Sequence, residues 1–179
     1  MTNELEDQMV AKTEELAEAK KGEEAVAEAA ELVALDPKDA IVWFMKGKAH
    51  YADSQFDEAL TCFSKAAEIE RENAAVWHMM GYTFITLGRL PEAEQALEYV
   101  KAAQPDNAEA ICALAICQAM QNKPDEARKN VDFAIALNKS VAFAMLEHFH
   151  DKFFSVSKDT AAGTKAIIER MLETMKMTR

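Results

Sequence analysis

The amino-acid sequence predicts an all-α protein built from helical hairpins that repeat at a fixed interval along the chain. Self-similarity is the first indication, because the interval from Trp43 to Trp77 (77 − 43 = 34) recurs between Gly47 and Gly81 (81 − 47 = 34), and such a repeat period is typical of repeat architectures. Within each period, apolar residues recur at the three- and four-residue spacing of one helical face. With only 5 Gly and 4 Pro in 179 residues, the chain lacks the turns that a protein of many strands needs.

Small and large residues both follow this period. A glycine in mid-helix costs ~1 kcal/mol relative to alanine, so Gly47, Gly81 and then Ala115 at one phase indicate that two helices approach closely there. Phe63, Leu97 and Val131 hold a second column at the same period, and we expect large side chains to fill the spaces between hairpins. Alanine forms a third, uninterrupted column at Ala25, Ala59, Ala93, Ala127 and Ala161.

The period divides the chain into hairpins. Three clear repeats are predicted at 40–73, 74–107 and 108–141, each with two helices separated by a short polar break. Residues 1–39 are predicted to form a degenerate N-terminal hairpin whose first helix, over about residues 4–20, is marginal because it contains few apolar residues. Residues 142–179 are predicted to form a degenerate C-terminal hairpin that caps the array, since repeat arrays need polar-faced ends. Its first helix is expected over 142–156, and Asp159 and Thr160 are expected to cap its second.

The repeat at 74–107 carries the most specific pattern, which is Trp77, Met80-Gly81, Phe84, Gly88, Ala93, Leu97 and Pro105. This pattern resembles the tetratricopeptide repeat (TPR) family. The neighbouring repeats depart from it at Lys46 and Arg71, which replace a Leu and a Pro, and at Gln118, which replaces an aromatic residue. The resemblance implies a right-handed α-α superhelix, a solenoid in which the first helices line a concave groove. It also implies that this groove binds peptides or helices of partner proteins.

The groove candidates are the first-helix residues that packing does not use. Most are apolar, and several are methionine, whose flexible and polarisable side chain suits surfaces that accept varied apolar ligands. Docking of a peptide or amphipathic helix from a partner protein is therefore the leading functional prediction. The candidates are Ile41, Phe44, Met45, Lys48, His78, Met79, Tyr82, Ile85, Thr86, Glu109, Cys112, Ile116 and Met120.

An alternative reading of the same residues remains open. A stripe of methionine and aromatic residues at helical spacing is also typical of core packing. In that case the chain is a structural or self-association module, with its groove filled by its own helix or by a helix of a neighbouring copy. The carboxylate clamp of chaperone-binding TPR domains is not expected, because Lys48 is the only basic residue at the corresponding positions and Glu109 has the wrong sign.

The charge of the chain bears on its partners and its location. The chain carries 20 Lys+Arg and 31 Asp+Glu, a net charge of −11. Nucleic-acid binding is not expected, since it requires a basic surface, whereas a basic or amphipathic cationic protein partner suits this charge. The acidic N-terminus does not resemble a signal peptide, and no apolar run reaches the ~18–20 residues of a membrane span, so the prediction is a cytoplasmic protein.

Enzymatic chemistry is not predicted. The sequence has no Gly-rich phosphate loop, HExxH or GxSxG motif, and no cofactor is expected. His148 and His150 are two residues apart, so on a helix their side chains diverge and cannot share a metal ion. The cysteines, Cys62, Cys112 and Cys117, are odd in number and lack metal-ligand spacing, which indicates small apolar residues in or near a helical core.

Overall fold

A computed structural model describes residues 2–19, 21–156, 168–170 and 172–173. These residues contain helices and no β-strand, and the predicted all-α class of helical hairpins is confirmed. The chain forms two compact units, Met1–Leu87 and Gly88–Arg179. The helices of the first unit are α1 (Thr2–Glu18), α2 (Gly22–Leu35), α3 (Ala40–Ala52), α4 (Phe56–Ile69) and α5 (Ala74–Thr86). Those of the second are α6 (Leu90–Ala103), α7 (Ala108–Met120) and α8 (Pro124–Val156).

The helix boundaries follow the sequence period. The starts of α3, α5 and α7 succeed one another at intervals of one repeat period, and so do those of α2, α4, α6 and α8. Local chemistry explains the first set, because Asp39, Asn73 and Asn107 each precede a helix and accept a hydrogen bond from a backbone N–H of its first turn. Such caps satisfy donors that have no partner inside the helix. The capping residues therefore repeat with the same period as the core residues.

The turns inside three hairpins share one backbone conformation. Ser54, Gly88 and Asn122 have φ values of 62°, 72° and 60°, and they lie one repeat period apart. This left-handed region is open to glycine and tolerated by asparagine. The predicted polar breaks are thus repeats of one turn conformation.

The two tryptophans occupy matching positions. Trp43 Nε1 donates to the carbonyl oxygen of Pro37 at 2.9 Å, and Trp77 Nε1 donates to the carbonyl oxygen of Arg71 at 2.8 Å. In each case the acceptor lies six residues earlier, in the turn that leads into the helix. Each half-buried indole therefore satisfies its only donor while tying a first helix to the preceding turn.

A seam of paired small and large residues joins α3 to α4. Phe63 is fully buried, and a Cβ placed on Gly47 would lie 3.0 Å or less from three carbons of its ring. The equivalent positions one repeat period earlier hold Thr13 and Ala29, both fully buried. In that hairpin the larger side chain of the pair, Thr13, lies on the first helix, and the smaller one, Ala29, lies on the second. The predicted close approach at Gly47 is confirmed, and the seam explains why glycine is needed where its partner is phenylalanine.

The first helix of the chain is better anchored than its composition suggests. It forms α1 and packs on α2 and α3, with Met9 in a core cluster that also contains Leu32 and Val42. Lys12 adds an ion pair to Glu28 of α2 at 2.6 Å. Tertiary packing of a few apolar residues stabilises the helix, which is why counting its apolar residues predicts only marginal stability.

The last described junction departs from the period. Non-helical Asn138 (φ −155°, ψ 95°) divides α8 into segments 124–137 and 139–156, and its Oδ1 accepts from the backbone N–H of Val141 at 3.1 Å. At the earlier junctions between one hairpin and the next, four residues separate the two helices. Here a single residue separates them, so the final segment begins at 139, three residues before the predicted position 142. The core cluster that contains Leu146 of this final segment also contains Ile168 and Leu172. Asp159, Thr160 and Ala161 lie outside the described residues.

A polar network replaces the aromatic residue expected at position 118. Gln118 is almost fully buried, accepts from Asn130 Nδ2 at 2.8 Å and donates to Glu94 at 3.3 Å. Glu94 also accepts from Gln121 at 3.0 Å and from Lys123 at 2.6 Å. The departure from the family pattern is therefore compensated, because the buried amide has partners.

This network makes the second unit sensitive to acid. Burial acts to raise the pKa of Glu94, but the hydrogen bonds from Lys123, Gln121 and Gln118 outweigh it and hold the pKa below its ordinary 4.5. A carboxyl group with a depressed folded-state pKa contributes stability above its unfolded-state pKa and loses it as the pH falls through the folded-state value. We expect Glu94→Gln to flatten the loss of stability on acidification below the ordinary carboxyl pKa of 4.5.

Urea unfolding followed by circular dichroism at several pH values measures this effect. Glu98→Gln is the matched control, since Glu98 is an exposed carboxylate on the same helix. If the stability curves of the wild type and Glu94→Gln run parallel across the acid range, Glu94 does not contribute to the pH dependence.

Candidate functional site

Five candidate residues of the first unit are half-buried, and together we call them the first-unit strip. It consists of Phe44 and Lys48 on α3 and His78, Met79 and Tyr82 on α5. Helix α3 contacts both α1 and α5. The side chain of Lys48 remains 26% exposed. The strip thus offers aromatic, thioether and cationic groups that a partner can reach.

Neighbouring side chains hold the strip in place. The Phe44 ring lies 5.8 Å, centroid to centroid, from Phe63 of the buried seam. On α5, the rings of His78 and Tyr82 lie 4.8 Å apart, one helical turn from each other, at a separation typical of interacting aromatic pairs. These contacts restrict the orientations that the Phe44, His78 and Tyr82 rings can adopt.

The charge beside the strip comes from α1. Lys48 Nζ donates to Glu14 Oε1 and lies 6.0 Å from the centroid of the Phe44 ring. The Glu14 side chain is 47% exposed, and α1 also exposes the carboxylates of Asp7, Glu15 and Glu18. The cation of the strip is therefore paired, and the adjoining helix is acidic.

Four further candidates on α3 and α5 lie outside the strip. Met45 is 4% exposed and packs with Met9, Leu32 and Val42, and Ile85 is 9% exposed. Met45 and Ile85 are therefore buried packing residues, whereas the sequence predicted that they line the groove. Ile41 is 50% exposed at the start of α3, and Thr86 is exposed at the end of α5.

The candidates on α7 lie in a different environment. Cys112 is fully buried and Ile116 is 4% exposed, in a cluster with Leu146 against which half-buried Met120 packs. The Cys112 thiol contacts the carbonyl oxygen of Ala142 at 3.7 Å, so the final segment of α8 covers it directly. Because Cys112 and Ile116 are covered by the chain itself, they offer no accessible binding surface, contrary to their selection as groove residues. Glu109 is exposed.

The cysteines have no reactive environment. Cys62, Cys112 and Cys117 are all free and buried, which confirms the prediction of core residues. Burial raises the pKa of the Cys112 thiol to about 12, so it stays protonated at neutral pH. Since the thiolate is the nucleophilic form, Cys112 packs rather than reacts.

The described residues also bear on metal binding and on membrane insertion. Within the described ranges, no group of three or more His, Cys, Asp or Glu side chains has an arrangement that could hold a metal ion. His150 Nε2 lies 3.6 Å from Glu169 Oε1. Across the described part of the chain, no helix combines the length and apolar character needed to cross a bilayer.

Sequence reasoning missed Glu14, although a signal was present. Glu14 and Lys48 are one repeat period apart (48 − 14 = 34) and so occupy the same position in successive first helices. Opposite charges in one column of a repeat array indicate an ion pair between neighbouring helices when those helices pack side by side. The low apolar content of α1 hides this signal, because an ion pair between the two helices requires α1 to be ordered.

Comparison with known sequences identifies relatives of the chain. Two profiles described as tetratricopeptide repeat match residues 14–75 and 50–110. Anaphase-promoting complex subunit 3 of Schizosaccharomyces pombe is 21% identical over 131 residues, which are 67% of this chain and 19% of that protein. The chain thus spans about a fifth of the length of that curated relative.

Solved structures with similar folds agree with the sequence profiles. PilF of Pseudomonas aeruginosa superposes with a TM-score of 0.74 at 17% identity, covering 97% of this chain and 78% of PilF. YrrB, described as a TPR protein with an unusual peptide-binding site, has a TM-score of 0.64 at 17% identity, covering 95% of this chain and 89% of YrrB. These likenesses concern the fold, and the two profiles together span residues 14–110. The chain belongs to the tetratricopeptide repeat family.

Proposed function

We propose that this chain is a protein-interaction scaffold without catalytic activity, and that its first-unit strip binds a cationic amphipathic peptide or helix of a partner protein. The TPR fold in general supports scaffolds for protein–protein interaction. The observation that carries the specific proposal is the half-buried strip of α3 and α5 beside the acidic surface of α1. We assign the strip to repeats 40–73 and 74–107, with 108–141 as a third repeat and 1–39 and 142–179 as terminal hairpins, in a protein that acts in the cytoplasm.

Apolar burial would supply the affinity. Phe44, Met79 and Tyr82 are each only half-buried, so an apolar side chain laid against them removes further surface from water. Each Å² of apolar surface removed contributes roughly 25 cal/mol. The rings already rest on neighbours at Phe63 and His78, and little ordering cost offsets this gain.

Charge would select the partner. Lys48 is engaged by Glu14, and Asp7, Glu15 and Glu18 are exposed on the same helix as Glu14. The whole chain has a net charge of −11. Lysine or arginine residues flanking the apolar anchors of a partner would therefore be attracted, with faster association at low salt than at high salt.

The description of YrrB as having a peptide-binding site is consistent with this use of the fold. At 17% identity that likeness does not transfer the residues of the site. The assignment to α3 and α5 rests on the exposure and contacts of this chain's own side chains.

A direct binding measurement tests the proposal. The probe is a synthetic amphipathic helical peptide with leucine on one face and lysine on the other, titrated by fluorescence anisotropy. We expect saturable binding that Met79→Gln and Tyr82→Ala each weaken by about tenfold, the size of a loss of ~1.4 kcal/mol. Glutamine keeps the length of methionine and adds no charge, so its effect reports lost apolar contact.

Tyr99→Ala is the matched control, because Tyr99 is 37% exposed but lies on second helix α6. This variant should bind the peptide as the wild type does. Absence of saturable binding to the wild type would refute the docking function. A concentration-dependent dimer in analytical ultracentrifugation that the peptide does not compete with would instead establish the self-association module.

A further inference from the structure

We infer that Glu14, a residue of α1 outside the first-unit strip, determines the charge preference of that strip; the inference rests on the proposed function. Among the five residues of the strip, Lys48 carries the one fixed positive charge. Its ammonium group donates to Glu14 Oε1 from a helix packed alongside. The preceding hairpin thus supplies the group that neutralises the strip.

The chemistry of this pair separates two classes of partner. An unpaired lysine beside the half-buried Phe44 ring would attract a carboxylate of an acidic peptide. With Glu14 in place, such a carboxylate must compete for Lys48 with the Glu14 carboxylate, which already accepts a hydrogen bond from it. A cationic side chain can instead approach the carboxylate of Glu14, whose side chain is 47% exposed.

Both members of the pair remain accessible, and this makes the preference adjustable. The Lys48 side chain is 26% exposed, so removing Glu14 would leave a reachable, unpaired cation. Glu14 acts as a positioning and neutralising residue, since its effect on an acidic peptide passes through Lys48. The pair is a small contributor to stability, because ion pairs that remain accessible to water contribute little, and the fold should survive its loss.

The experiment compares two synthetic peptides with the same leucine face, one carrying lysine and the other glutamate on the polar face. Their dissociation constants are measured with the wild type, Glu14→Gln and Glu14→Asp by fluorescence anisotropy. We expect Glu14→Gln to shift the ratio of the two constants by about fivefold towards the glutamate peptide, consistent with the loss of one charge near the surface. Glu14→Asp, which keeps the charge, should restore most of the wild-type ratio.

Glu58→Gln is the matched control. Glu58 is an exposed carboxylate on α4, a helix that carries neither the strip nor Glu14, and the substitution changes the net charge by the same amount. Its ratio should stay close to that of the wild type, which separates the Glu14–Lys48 pair from a general charge effect. Circular dichroism melting curves should be unchanged in all variants.

The outcomes distinguish this inference from the proposed function. If the lysine peptide binds the wild type and Glu14→Gln shifts the ratio no more than Glu58→Gln does, the role of Glu14 is refuted while docking stands. If neither peptide binds the wild type, the docking function itself fails and the inference fails with it.

Discussion

Replacing Phe63 with alanine is expected to lower the free energy of unfolding by about 3–5 kcal/mol. Phe63 is fully buried in a cluster that includes Leu60, Val76 and Met80. Its ring occupies the space that Gly47 leaves open. Truncation removes the apolar contacts of the whole ring and leaves a cavity that a rigid helical seam cannot close. Since the Phe44 ring lies against Phe63, we also expect weaker peptide binding.

Urea unfolding monitored by circular dichroism gives the size of the loss. Phe133→Ala makes the same substitution at a side chain that is 42% exposed, and its effect should stay within about 0.5 kcal/mol, as for most surface changes. Similar losses for the two variants would mean that Phe63 does not hold the first unit together.

Replacing Gly47 with alanine is expected to lower the free energy of unfolding by about 2 kcal/mol, the second largest effect. Helix propensity alone favours alanine by ~1 kcal/mol, so glycine here must serve another purpose. The added Cβ would overlap the ring of Phe63, and overpacking a full core costs up to ~3 kcal/mol. The overlap outweighs the propensity because the ring is fully buried.

A double-mutant cycle isolates this cause. In a Phe63→Val background the ring is gone, and Gly47→Ala should stabilise the chain by up to ~1 kcal/mol, the propensity gain. The second unit uses the same combination, with Ala115 and Val131 at the equivalent positions of one core cluster. An equal cost of Gly47→Ala in both backgrounds would contradict steric coupling across the seam.

Much of the fold was predictable because several segments of the sequence, each one repeat period long, encode the same local structure. The matching hydrogen bonds of Trp43 and Trp77 confirm that residues one repeat period apart share a local environment. The final junction was not predictable from the period, because Asn138 replaces a four-residue turn with a single non-helical residue. At such a junction the capping side chain, rather than the repeat spacing, positions the next helix.

The candidate site was predicted less completely than the fold. Phe44, His78, Met79 and Tyr82 are accessible, whereas Cys112 occupies the same repeat position as Phe44 and His78 and is fully buried. No property of the residue's position in its own helix distinguishes these cases. The difference comes from the α8 segment that follows Asn138 and contacts the Cys112 thiol.

The sequence by itself determined the all-α class, the starts of α3, α5 and α7 and the close approach at Gly47, because capping, propensity and apolar spacing act between residues near one another in the chain. Only the tertiary structure decided which first-helix side chains stay exposed and that Glu14 neutralises Lys48. Exposure and pairing depend on how closely a neighbouring helix approaches. That distance is set by packing across the seams between helices rather than by the helix that carries the residue.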